Sequence, residues 1–212
     1  IVDLKTEQVP WATGCAWAPA IAEKNGSYYF YFCGKREDGK SCIGVAGASC
    51  PEGPFTVKQV PLLTPEIVKA EGIEISQVID PSVYIEEDGT PYLLFGNGAA
   101  AIVRLEKDMM NICPGTMRLL EGLTDFREAV TVFKRGGVYH FTWSCDDTGS
   151  ENYHVNYGTA ERLYGPVTYH YPVLEKRPDD GIMGTGHHCI MKEWGKDSYV
   201  VAYHRFALPL SA

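Results

Sequence analysis

The sequence predicts an all-β fold, a five-bladed-type β-propeller with about four blades present in this chain, and two observations predict it. One is a hairpin module that recurs four times, a Gly-containing turn followed by an aromatic or β-branched strand. The other is spacing: equivalent points of successive copies lie roughly 50 to 60 residues apart, the length of a four-stranded blade with its loops. A β-sandwich of similar short strands is the alternative that spacing leaves open.

The elements follow in order. The turns are Asn25-Gly26-Ser27, Asp88-Gly89-Thr90-Pro91, Gly136-Gly137-Val138 and Gly195-Lys196-Asp197-Ser198. Gly supplies the positive φ of a tight hairpin, and the residues that follow (Tyr28–Phe32, Tyr92–Phe95, Tyr139–Trp143, Tyr199–Ala202) suit a half-buried pleated surface. The strands entering the turns are Trp17–Ile21, Pro81–Ile85, Ala129–Phe133 and His188–Met191. A third strand follows in three copies, as Ile43–Ala48, Ala101–Leu105 and Tyr153–Ala160, and two of these lead to the same punctuation, Gly53-Pro54 and Gly165-Pro166.

With 212 residues, 45% hydrophobic and 22% charged, the chain is long enough for a sizeable core and is read as one domain, residues 1–212. No run approaches the roughly 20 apolar residues of a membrane helix, and no basic stretch followed by an apolar one marks a signal peptide. The first residue is Ile1, so a leader or longer N-terminal segment removed or left out is the expectation; the compartment (secreted, periplasmic or cytoplasmic) stays open. A net charge of −8 argues against nucleic acid or an anionic membrane as partner and favours a neutral ligand. The 12% aromatic content fits sugar binding, where flat rings lie against sugar faces, and core packing explains the rings equally well. Seven cysteines without paired CxxC spacing disfavour a zinc site. Cys33 and Cys42 flank one hairpin; a disulfide and two buried thiols are both open there, with thiols favoured.

In a propeller the innermost strand of each blade starts at the central channel, so the residues around those starts converge. Here they are Trp17, Asp80, Glu128 and His187. Two carboxylates with a stacking Trp and a His make the set that glycosidic hydrolysis requires, an acid to protonate the leaving oxygen and a base to activate water. Bland readings stand beside each: an Asp before Pro is commonly a turn starter, and a lone His is commonly structural. Glu128 sits among apolar neighbours, where an unpaired charge is costly. Arg127 is a poor partner for it because adjacent strand residues point to opposite faces, and the same parity keeps His187 and His188 from both facing the channel.

The chain resembles glycoside hydrolase family 43, the five-bladed propeller glycosidases of arabinose- and xylose-containing plant polysaccharides. The resemblance rests on Trp17-Ala18-Pro19, Ile79-Asp80-Pro81-Ser82-Val83, Arg127-Glu128-Ala129, Gly158-Thr159-Ala160 before Gly165-Pro166, and Gly184-Thr185-Gly186-His187. It implies Glu128 as general acid and Asp80 as the carboxylate that orients that acid and raises its pKa. It also implies Trp17, Arg205 and Phe95 as sugar contacts, and His187 as a channel histidine beside a calcium, another cation or water. The chemistry needs no cofactor, and calcium is the one cation implied.

The resemblance further implies an inverting glycosidase that removes terminal pentose residues, α-L-arabinofuranose or β-D-xylose, with a lean toward the former. The family's general base precedes the Trp-Ala-Pro segment. The 16 residues ahead of Trp17, from Ile1-Val2-Asp3-Leu4-Lys5 onward, read as the end of a first blade, so the base is expected outside this chain and Asp3 is not promoted to it. A non-catalytic carbohydrate-binding propeller fragment and an endo-acting arabinanase are the alternatives. The expected partners are a pentose-containing oligo- or polysaccharide and a second polypeptide or dimer mate covering the missing blade.

Overall fold

The computed structural model describes residues 2–4 and 7–207, and its chain divides into two compact units that meet in sequence at Leu119 and Leu120. The first unit holds two four-stranded antiparallel sheets. The first sheet runs β1 (Ala20–Lys24), β2 (Ser27–Lys35), β3 (Ser41–Ala48), β4 (Thr56–Val57), and the second β5 (Ser82–Ile85), β6 (Pro91–Phe95), β7 (Ala101–Arg104), β8 (Arg118–Leu119). The expected turn chemistry is present: Lys24 pairs with Ser27 across Asn25 and Gly26, both at positive φ, as a two-residue hairpin that follows strand twist requires.

Between the sheets in sequence lies a short helix, α1 (Pro65–Ala70), which the strand pattern does not announce. Thr64 caps it, its hydroxyl accepting from the Ile67 N–H at 3.3 Å, and Pro65 starts it with a fixed φ. One core cluster gathers Tyr31, Ile43, Val45, Leu63, Val68, Leu93, Phe95 and Val103. Another joins Leu4 and Val9 to Phe32, Ala46, Phe55 and Val57. Of the N-terminal run read as the tail of an earlier blade, Ile1 and Lys5 lie outside the described residues. Gly44 is required here by close approach, since a Cβ on it would stand 2.5 Å from the Phe32 ring.

Cys33 and Cys42 are free and buried. Cys33 pairs with Ile43 and Cys42 with Gly34, so the two thiols are one residue out of register and point to opposite faces of the sheet.

The second unit contains the four-stranded sheet β9 (Phe126–Arg135), β10 (Val138–Cys145), β11 (His154–Ala160), β12 (Thr168–Leu174), and the two-stranded sheet β13 (Gly186–Lys192), β14 (Tyr199–His204). Its buried side chains include Val130, Phe141, Trp143, Val155, Leu163 and Val167. Each Gly-Pro punctuation mark precedes the fourth strand of its sheet, β4 or β12. β9 begins three residues earlier than the sequence pattern suggests, which places Glu128 inside the strand.

Candidate active site

In the first unit, Asp80 occupies the residue pair that enters β5. It is buried, its neighbours Val78 and Ile79 are buried, and the Ile79 carbonyl accepts from the Gly96 N–H at 2.9 Å, tying the approach to the end of β6. Asp80 stands at φ +59°, a left-handed conformation that Asp tolerates better than most residues but that still carries strain, the more so before a proline. Its N–H donates to Cys33 Sγ at 3.3 Å. Burial, and secondarily the Asp80 charge, push the Cys33 thiol up to about 12.

Cys33 links Asp80 to Trp17 as well, because its own N–H donates to the Trp17 carbonyl at 3.4 Å. Trp17 lies just ahead of β1 with its side chain 43% exposed and Lys35 Nζ 5.8 Å from the ring centroid. A large indole left this open is available to stack on a ligand. Phe95 is different. It is fully buried within the core cluster of the first unit, so its ring has no face to offer a sugar and it leaves the set of sugar contacts.

In the second unit, Glu128 is held on β9 by a β-bulge. Thr142 pairs with Thr131 and Ser144 with Glu128, so Ala129 and Val130 together oppose Trp143, and Ala129 takes φ +57°. A bulge of this kind re-aims the side chain beside it. The carboxylate is buried, and Tyr153, fully buried itself, donates its hydroxyl hydrogen to Glu128 Oε1 at 2.8 Å. The Tyr153 ring stacks on His204 with centroids 5.2 Å apart, and His204 lies 6.3 Å from His187. Arg127 turns away to pair with Asp147 at 3.2 Å, as strand parity predicts.

His187 stands at φ +43°, with its N–H donating to Ser144 Oγ at 3.0 Å. Burial holds its pKa below the ordinary value, the Glu128 charge opposing that shift, and His204 behaves alike. His188 instead sends Nε2 to Thr142 Oγ1 at 2.6 Å, and burial pushes it down to about 4. The two histidines are therefore engaged with different partners. Arg205 follows β14, exposed, with Nη1 donating to the Gly181 carbonyl at 3.3 Å.

A buried carboxyl that accepts a phenol hydrogen bond and stands near imidazoles whose pKa values burial lowers is suited to proton transfer. The sequence singles out Glu128 and His187 as candidates and gives no role to Tyr153 or His204, which the structure places beside Glu128 and His187. Tyr153 is 25 residues from its partner along the chain and reads in the sequence only as the first residue of a third strand, so no local signal marks it as a partner of Glu128.

A family model described as glycosyl hydrolases family 43 matches residues 2–211. Among curated relatives, a xylosidase/arabinosidase 43A of Humicola insolens is 30% identical, covering 92% of this chain and 68% of the relative. A beta-D-galactofuranosidase of Aspergillus niger is 31% identical over 95% of this chain and 60% of its own length. A xylosidase/arabinosidase of Bacteroides ovatus is 30% identical over 92% and 66%. The chain thus spans 60 to 68% of the length of these relatives.

The crystal structure of a thermostable family-43 glycoside hydrolase superposes with a TM-score of 0.83 at 26% identity, covering 98% of this chain and 71% of that one. A Xanthomonas citri GH43_1 enzyme solved with xylotriose gives a TM-score of 0.71 at 26% identity, over 92% and 65%. The predicted all-β propeller fold is the fold observed, and the sheets described above are its blades.

Proposed function

This chain belongs to family 43 of the glycosyl hydrolases, and from that membership we propose that it is the acid-bearing part of an inverting glycosidase that releases terminal pentoses from plant oligo- or polysaccharides. The family acts on arabinose- and xylose-containing substrates, as its relatives' names record. Within that range we favour α-L-arabinofuranosides, then β-D-xylosides, and we take residues 1–212 as one catalytic domain.

The observation that carries the reading is Glu128: a buried carboxyl aimed by a bulge and held at one oxygen by Tyr153. Glu128 protonates the glycosidic oxygen as the bond to the anomeric carbon breaks, and the alcohol departs. Water adds to the opposite face of the sugar and gives up a proton to a base that we place outside this chain. Asp80 is the second carboxylate, orienting the acid, while Trp17 supplies the stacking wall and Arg205 a hydroxyl contact. Support for these roles comes from burial, exposure and the motifs around each residue.

The chemistry calls on no cofactor. In the second unit Glu128 and His187 each offer a donor atom to a cation, one carboxylate oxygen and one imidazole nitrogen, and a hard ion such as calcium, which prefers oxygen, would take part of its coordination from water. If bound, calcium would supply positive charge beside the acid; proton delivery stays with Glu128.

Glu128→Gln tests the proposal on aryl α-L-arabinofuranosides and aryl β-D-xylosides. Turnover should fall by roughly 10² to 10⁴ on poor leaving groups while sugar affinity holds. Equal turnover removes Glu128 from the acid's role. Sugar binding without turnover in the unaltered chain favours the alternative reading, a binding propeller that does no chemistry.

A further inference from the structure

Glu128 lies between two breaks in the β9–β10 ladder. On one side Ala129 and Val130 together oppose Trp143; on the other Ser144 pairs with Glu128 and Cys145 with Phe126, which leaves Arg127 as a second extra residue. A bulge disrupts pairing locally, so a residue flanked by two of them is not held in register by the ladder alone. The regular pairs from Thr131 to Arg135 hold the far side. The near side runs back into the segment 121–125, where Glu121, Gly122, Thr124 and Asp125 are exposed and Asp125 stands at φ +56°.

That exposed segment is anchored at one atom. The Thr124 carbonyl accepts from Trp143 Nε1 at 2.8 Å and from Asn156 Nδ2 at 3.2 Å, with Cys145 Sγ a weak third donor at 3.7 Å. Trp143 and Cys145 are alternate residues of β10, and Asn156 of β11 is the direct cross-strand partner of Trp143, so all three side chains leave the same face of the sheet. All three are buried. The two β10 residues in this set are the ones that face the two bulges. The opposite face of the same stretch, Thr142 and Ser144, holds His188 and the His187 N–H. Asn156 Oδ1 is buried and meets no donor among the described residues, a cost to stability that a Leu of similar size would not carry.

We propose that Trp143 and Asn156 are positioning residues for Glu128: by fixing the Thr124 carbonyl they set where β9 enters its ladder, and so where the carboxyl stands. Both act through the backbone from Thr124 to Glu128, not on substrate. This role rests on Glu128 being the general acid. A displacement of about 1 Å in a reacting group costs on the order of 10²-fold in rate, so an anchor four residues away is close enough to matter. A purely structural role for the same side chains predicts instead that rates on all substrates fall together with the folded fraction.

Trp143→Phe removes the indole N–H and Asn156→Leu the amide, and each is assayed in the full-length protein on phenyl and dinitrophenyl glycosides. A departing phenolate needs the acid's proton, and a dinitrophenolate does not. Each variant should lose roughly tenfold or more in kcat on the phenyl substrate with KM held, and less than about twofold on the dinitrophenyl one. The ratio of the two rates does not depend on how much of the protein folds, so a poorly folding Trp143→Phe still reads out, and Asn156→Leu should keep its thermal midpoint. Glu128→Gln on the same pair separates the two levels of the argument. If Glu128→Gln loses the phenyl substrate selectively, loss on both substrates alike, or on neither, in Trp143→Phe or Asn156→Leu strikes that residue from the role and leaves the acid in place. Unselective behaviour of Glu128→Gln overturns the acid and the positioning role together.

Discussion

Tyr153 Oη lies 2.8 Å from Glu128 Oε1, joining the start of β11 to the bulge of β9 inside the second unit. The ring carrying that hydroxyl stacks on His204 and abuts Gly186, so three segments distant in sequence fix one oxygen of the proposed acid.

Tyr153→Phe keeps the ring and its stacking but deletes the hydroxyl. A hydrogen bond to a buried carboxyl of this kind contributes about 1 to 2 kcal/mol, so kcat should drop roughly tenfold with KM little changed. Steady-state rates on aryl glycosides check this. A fall in KM affinity with kcat intact would mean that the phenol serves binding and not the acid.

Gly186 is a glycine because of that ring. A Cβ built there would stand 2.1 Å from Tyr153 Cε1, a distance no side chain tolerates. Gly186→Ala should therefore displace Tyr153 or β13, lowering stability by about 1 to 3 kcal/mol and costing activity at the same time. Gly195→Ala is the control for the readout, since its Cβ would meet nothing within 4 Å and only its φ of +71° resists change.

The hairpins were legible because a Gly turn and an alternating aromatic strand are local signals, and so were Asp80 and Glu128, which sit at motif positions before or within first strands. What was not legible depends on packing. Phe95 reads as one more aromatic near a strand end, yet its inward side chain belongs to the core. Tyr153 and His204 reach the Glu128 neighbourhood only through the pairing of β9 with β10 and the ring stack, which no short window of sequence contains. The bulge was hidden too, since Ala129 carries no mark of its positive φ.

Five of the seven cysteines separate into two reactive classes. Cys50 and Cys189 are exposed, whereas Cys33, Cys42 and Cys145 are buried, their thiols pushed up to about 12, 11 and 12 by desolvation. The thiolate is the nucleophile, so at pH 8 iodoacetamide should label Cys50 and Cys189 in the native protein and leave the other three until denaturant is added. Peptide mass mapping reads this directly. Rapid native labelling of Cys33 would mean that the Asp80 segment opens readily.

Acid should weaken the fold before the carboxylates titrate, and His188 is one cause. It is buried against Thr142, with His187 adjacent, and desolvation holds it down to about 4 against an ordinary value of 6.5. The native state then binds fewer protons than the unfolded chain between those two values, so stability is complete above pH 6.5 and falls as pH drops toward 4. At pH 5 the loss from this one group is about 2 kcal/mol, and His187 and His204, shifted in the same direction, add to it. Urea midpoints at pH 7.5 and pH 5 measure the slope. His188→Gln keeps a hydrogen-bonding partner for Thr142 but cannot titrate, so it should flatten the slope; an unchanged slope would assign the acid sensitivity to other groups.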